Sequence, residues 1–294
     1  MKRLALLLPL IALAAGAVWL AARMCDEASD SRVGRIVAEM VQIPGRDYRM
    51  GKFEVTQAQW RAVTGKTPSL YKGANHPVEN VSWNDCQAFL EKLNAHPAAR
   101  ASGLVFRLPT EEEWEFACRA GSTNDFCRLA DGTEITAETL GRVAWFRANL
   151  STRPRWLADF LAFAEGLVDR VYEVNWTETL AHKPVGRKEP NAWGLHDMHG
   201  NVWEWTETAE ANGKRRVIRG GGWLSYDGNC ESSINGRGED APSIRGNTLG
   251  FRLCATPSPA SSESHAETAE NAEPKPLAES AEVGPHAEPA EDAE

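Results

Sequence analysis

The chain has 294 residues, 42% of them hydrophobic and 25% charged, with a formal net charge of −9. That length suits one or two domains, and the charge belongs to one end. Residues 256–294 hold ten acids and one base, Lys275, which leaves 31 acids and 31 bases in the other 255 residues. A neutral body with no basic stripe argues against nucleic-acid binding.

At the N-terminus, Lys2 and Arg3 precede an uncharged run over residues 4–22. Its length fits either the apolar part of an export signal or a short membrane anchor, within a segment taken as 1–24. The basic start places the rest of the chain outside the cytoplasm. Export is therefore expected, to the periplasm or to a membrane-anchored position facing the exterior. Residues 25–36 read as a linker. Export makes the six cysteines, Cys25, Cys86, Cys118, Cys127, Cys230 and Cys254, candidates for disulfides. With no CxxC pair among them they match no zinc template.

The body, residues 37–255, holds ten of the eleven tryptophans and shows no repeat. Thr56 is placed to cap a short helix carrying Trp60 and Val63 that stops at Gly65. Ser82 precedes a second helix, where Cys86, Phe89, Leu90 and Leu93 recur at helical spacing. Thr110 followed by Glu111, Glu112 and Glu113 is an N-cap with acids in the first turn; its helix presents Trp114, Ala117 and Cys118 and ends at Gly121. A further amphipathic stretch near 154–172 carries Trp156, Phe160, Phe163 and Leu167. Most of the remainder is irregular, with glycine turns such as Gly220-Gly-Gly222, and no strand–helix alternation suggests a Rossmann-type sheet. Beyond residue 255 the Ala/Glu/Pro/Ser-rich tail carries no aromatic side chain and is expected to be disordered, as an interaction tail or as solubilising filler.

Within the body, short phrases follow one another in a fixed order. They include Glu54-Val-Thr56, His76-Pro-Val-Glu-Asn-Val-Ser-Trp83, Arg107-Leu-Pro-Thr-Glu-Glu-Glu-Trp-Glu115, Asn191-Ala-Trp-Gly-Leu195, Asp197-Met-His-Gly-Asn-Val-Trp-Glu-Trp205, Arg219-Gly-Gly-Gly-Trp223 and Leu249-Gly-Phe-Arg252. From Met40 to Cys254 the chain resembles the formylglycine-generating enzyme, or sulfatase-modifying factor, family. The resemblance implies an α+β, elaborated C-type-lectin-like fold with little regular secondary structure. It also implies a structural calcium ion held by side-chain oxygens of Asp197 and Glu204 and by the carbonyls of Gly200 and Val202. Hard oxygen ligands on an adaptable loop suit that ion; the alternative is that both carboxylates merely bind backbone. His196 and His199, three apart, are expected to be a partly exposed pair and not a metal site.

Enzymes of this family oxidise a substrate cysteine with O₂, using copper held by two cysteines five residues apart. The corresponding positions here are Ser225 and Cys230. A hydroxyl cannot replace a thiolate on Cu(I), so copper is not expected. The turn serine of the family is Gly222, and the asparagine before Leu-Gly-Phe-Arg is Thr248. Cys230 acting alone would need a base or a positive field. Asn229 and Glu231 supply neither, which leaves Arg219, Arg237, Arg245 and Arg252 as residues able to approach in space; the alternative is an inert thiol. For the other cysteines, Cys118 and Cys127 flank a loop suited to a short disulfide. A Cys86–Cys254 bridge is suggested by a disulfide of the family at nearby positions. Relative to the family, residues 150–181 are an insertion. It leaves in doubt a second calcium ligand at Asn149, and its Trp156, Phe160, Phe163 and Leu167 face either a protein partner or their own domain.

The leading expectation is a non-catalytic, extracytoplasmic binding or regulatory module with a protein partner in the cell envelope, as in a periplasmic regulator of type VI secretion that carries this domain. The alternatives are an O₂-dependent oxidoreductase acting on a protein thiol and a lectin-like receptor, the latter drawing on the Ser-, Asn-, Asp- and Gly-rich segment 225–248.

Overall fold

The computed structural model describes residues 27–150 and 181–259. The chain divides into two units, Met1–Ser258 and Pro259–Glu294, and the fold below belongs to the first. The apolar run at 4–22, Cys25 and the amphipathic stretch with Trp156, Phe160, Phe163 and Leu167 lie outside the described residues. Among the described residues no helix is long and apolar enough to cross a membrane.

Among the described residues, two four-stranded sheets frame the first unit. The first joins β1 (Met40–Gln42), β2 (Arg49–Glu54) and β3 (Leu104–Arg107) to β8 (Arg252–Pro257) in the order β1-β2-β8-β3. The second contains β4 (Trp203–Ala209), β5 (Arg216–Arg219), β6 (Arg237–Asp240) and β7 (Leu249–Gly250) in the order β6-β5-β4-β7. All pairings are antiparallel except β4 with β7. The short stretch from β7 to β8 therefore ties one sheet to the other.

Local chemistry accounts for the helices. Thr56, Ser82 and Thr110 each close a full capping box, starting α2 (Gln57–Thr64), α3 (Trp83–Ala95) and α4 (Glu111–Arg119). Helix α2 stops at Gly65, whose φ of 72° lies in the left-handed region. Helix α3 lays Cys86, Phe89, Leu90 and Leu93 on the first sheet, where Trp60 stacks on Phe89 at 5.2 Å and Phe251 meets Phe89 edge-on. Residues 27–38 form a helix, α1, whose Val33 and Ile36 are buried in this same core. The expected linker over 25–36 is thus largely helical, because Val33, Ile36 and Val37, at helical spacing, give it a face to bury.

Along β8 the side chains alternate: Leu253 and Ala255 join the α3 core, whereas Cys254 points to the opposite face, among Tyr48, Met50, Trp114 and Cys118. This alternation corrects the expected Cys86–Cys254 bridge. Cys86 lies on the α3 side of the sheet and Cys254 on the other, and both are free thiols. Cys118 and Cys127 are also free. The His199 ring contacts both residues, its Nε2 lying 3.5 Å from Cys118 Sγ and accepting the Cys127 N–H at 3.1 Å.

Candidate functional site

Two loops carry the residues singled out in the sequence. The first, 196–204, has three unusual backbone positions: Asp197 (φ 58°), Gly200 (φ 153°) and Asn201 (φ 61°). A Cβ on Gly200 would lie 2.4 Å from the Trp145 carbonyl oxygen, so the loop presses directly on that backbone. The Asn201 N–H donates to the same oxygen at 2.8 Å.

This close packing buries three carboxylates and one guanidinium. Glu204 accepts Arg252 Nε and Nη2, each at 2.7 Å, and Trp114 Nε1 at 2.6 Å. Glu54 accepts Asn201 Nδ2 at 2.7 Å and the Val202 N–H at 3.1 Å. Asp197 Oδ2 accepts the Gly186 N–H at 2.6 Å, whereas Oδ1 is buried without a partner. Burial, with Asp197 and Glu204 nearby, pushes Glu54 well above the usual carboxylate range. Burial also pushes Asp197 up to about 6. One arginine among three acids leaves a surplus of negative charge, which a buried site resolves with a proton or a cation. The unpartnered Asp197 oxygen and the hard-oxygen character of the site fit a calcium ion. Glu204, by contrast, is already committed to Arg252 and Trp114, a strut between β4 and β8.

His196 and His199 do not act as a pair. His196 donates Nδ1–H to the Lys188 carbonyl at 3.0 Å, while His199 is 1% exposed and donates Nδ1–H to the Cys230 carbonyl at 2.7 Å. His199 is therefore a buried strut and not a partly exposed residue; burial lowers it to about 4. Asn149 spends its amide within its own turn, on the Phe146 N–H and the Ala144 carbonyl.

The second loop is the glycine turn. Gly220 and Gly221 take φ values of 93° and 73°, and the chain then folds back through Ser225 to a short 3₁₀ turn, Asp227–Cys230. Ser225 Oγ accepts the Gly222 N–H at 2.9 Å, so the hydroxyl closes the turn. Cys230 is 0% exposed, in an apolar cluster with Phe126, Cys127, Leu129 and Phe146. A Cβ on Gly221 would sit 2.8 Å from its sulfur. Burial, then Asp227 and Glu231, push its thiol up to about 12. The four arginines are engaged elsewhere: Arg219 with the Ser232 and Ser233 carbonyls, Arg237 with Glu111, Arg245 with Asp85 and Arg252 with Glu204. Among the described residues no hydrogen bond reaches the Cys230 sulfur, and no group of three or more His, Cys, Asp or Glu side chains converges as a metal centre.

Residues 11–257 match the family described as sulfatase-modifying factor enzyme 1-like domain. The chain belongs to that family. Among curated relatives of this sulfatase-modifying-factor protein, chaperone protein LppX of Paenibacillus barcinonensis is 31% identical over 65% of this chain and 74% of its own. The formylglycine-generating enzyme of Streptomyces coelicolor is 34% identical, over 72% of this chain and 63% of its own length. An inactive C-alpha-formylglycine-generating enzyme 2 of Bos taurus is 32% identical over 69% and 57%. The chain thus spans less than two thirds of the latter two. Treponema denticola variable protein 1, a solved structure, superposes with a TM-score of 0.55 at 24% identity, over 74% of this chain and 91% of that one. The fold is accordingly α+β and C-type-lectin-like, with its core built on the two short sheets described above.

Two residues of the site escaped the sequence reading in their roles. Glu54 is the third buried acid, at the end of a strand whose Met50 and Gly51 are also buried. Arg252 closes the Leu-Gly-Phe-Arg phrase; its position in sequence says nothing of Glu204, 48 residues away.

Proposed function

We propose that this chain is a non-catalytic sulfatase-modifying-factor module that acts by binding, on the extracytoplasmic side of a membrane. The observation that carries the reading is the state of the would-be copper pair. Ser225 closes a backbone turn, and Cys230 is a buried thiol held protonated in an apolar cluster. A copper-cysteine centre requires two accessible thiolates, and this arrangement offers none. Loss of activity has precedent among the relatives, one of which is named inactive.

In this reading, binding falls to the segment that this chain adds to the family plan. The insertion over 150–181 brings Trp156, Phe160, Phe163 and Leu167, apolar residues whose spacing in the sequence suits docking to a protein partner of the cell envelope. Residues 1–24 would export the chain or hold it at the membrane. Calcium belongs to this reading as a structural ion. The Asp197 side chain and the Gly200 and Val202 carbonyls would hold it, with Glu204 close by, and its charge would offset the surplus of buried acids.

Two variants test the reading in the native cell. Deletion of 151–180 should abolish the biological phenotype and recovery of the envelope partner, whereas Cys230→Ala should leave both intact. The reverse pattern would favour the oxidoreductase.

A further inference from the structure

A second group of titratable side chains lies where residues 76–79 meet residues 181–182. His76 Nδ1 and His182 Nδ1 face each other at 3.1 Å, with the ring planes at 66°. His182 is buried, and its Nε2 looks toward Glu79 Oε1 at 3.7 Å, too far for a hydrogen bond. Glu79 is 0% exposed and fixed by the Tyr71 N–H, which donates to Oε1 at 2.9 Å. Two buried polar atoms here have no partner: His182 Nε2 and Glu79 Oε2. The Tyr71 ring packs edge-on against both His182 and Trp223 of the glycine turn.

A shared proton would satisfy the two facing nitrogens but leave the outer side of His182 as it is. A metal ion held by both nitrogens fits the same separation. Nitrogens bound at about 2.0–2.1 Å to a tetrahedral ion stand about 3.3–3.4 Å apart, within a few tenths of the observed separation. Metal-bound histidines turn their second nitrogen to a carboxylate, which fixes tautomer and orientation, and Glu79 occupies that place behind His182. Imidazole ligands select ions such as Zn²⁺, Cu²⁺, Ni²⁺ and Co²⁺ over calcium.

We propose that His76 and His182 form a half-site for a divalent transition metal, ligated through both Nδ1 atoms, with Glu79 as the outer partner of His182. Water fills the remaining positions, reached from the half-buried His76 side. This site adjoins the Asp197 loop, through Lys183 and Asn201, and the glycine turn, through Tyr71 and Trp223, but shares no ligand with either.

Calorimetric titration of the full chain with Zn²⁺ at pH 7.5, after chelator treatment, tests it. The wild type should bind one equivalent at this site. His76→Ala should weaken that binding at least tenfold and Glu79→Gln by about 10- to 100-fold, while His96→Ala leaves it unchanged. In ¹⁵N spectra of the imidazoles, Zn²⁺ should move the Nδ1 signals of His76 and His182 together. That measurement uses wild-type protein and does not depend on whether a variant folds. Absence of Zn²⁺ binding, or binding that moves only His96 or His196, overturns the proposal.

Discussion

Replacing Arg252 by Met removes the single guanidinium from the buried acid cluster. Arg252 makes four hydrogen bonds: two to Glu204, one to the Gly51 carbonyl at 3.1 Å and one to the His196 carbonyl at 2.9 Å. Methionine fills much of the volume but leaves Glu54, Asp197 and Glu204 without their guanidinium, Lys188 near Asp197 being a remaining cation. Breaking one side of a buried ion pair costs about 3–5 kcal/mol. For a unit of this size that lowers Tm by roughly 6–20 °C. Arg252→Lys keeps the charge and loses the two-pronged contact, so its loss should be smaller. The pH dependence has a definite sign. An acid whose folded pKa lies above its unfolded value binds more protons in the folded state, so stability rises as pH falls toward that unfolded value. Glu54 and Asp197 are both raised, and without Arg252 they rise further. The deficit of the Met variant should therefore shrink between pH 7 and pH 5. Thermal and urea unfolding of both variants in EDTA measures this; a Tm change below about 2 °C, or a deficit that grows on acidification, refutes the reasoning.

Thiol chemistry should report the same burial around Cys230. Cys127, Cys230 and Cys254 are each pushed up to about 12, chiefly by burial. At pH 8 their thiolate fraction is on the order of 10⁻⁴, so alkylation of the native protein should run at least ~10³-fold slower than for an ordinary cysteine. Peptide mapping without reductant should find no Cys86–Cys254 link. His199, held near 4 against an ordinary 6.5, is neutral in the fold. Stability from it is lost as pH falls below 6.5, by about 2 kcal/mol at pH 5, and His199→Gln should flatten that part of the unfolding profile. Calcium should raise the Tm of wild type and leave Asp197→Ala unmoved; equal shifts in both would place the ion elsewhere.

Much of the fold was legible because its signals are local. Thr56, Ser82 and Thr110 announce three helices through capping boxes that need only four consecutive residues. The ordered phrases carried the family, and the replacement of a copper-binding cysteine by Ser225 could be read directly. What failed depended on sheet geometry. Cys254 sits next to residues that pack on α3, yet strand alternation turns it to the other face. The pairing of Glu204 with Arg252 and the facing of His76 and His182 join residues 48 and 106 positions apart, through close packing that spacing does not encode. Helix α1 was missed because its first half, residues 27–32, is almost wholly polar and its apolar face, Val33, Ile36 and Val37, spans a single turn.

The most direct test of the non-catalytic reading is turnover. The purified chain, supplied with one equivalent of Cu(I) and a cysteine-containing sulfatase-type peptide under air, should form no formylglycine and consume no O₂ beyond that of the same copper and peptide without the protein. Catalytic aldehyde formation that disappears in Cys230→Ala would contradict it.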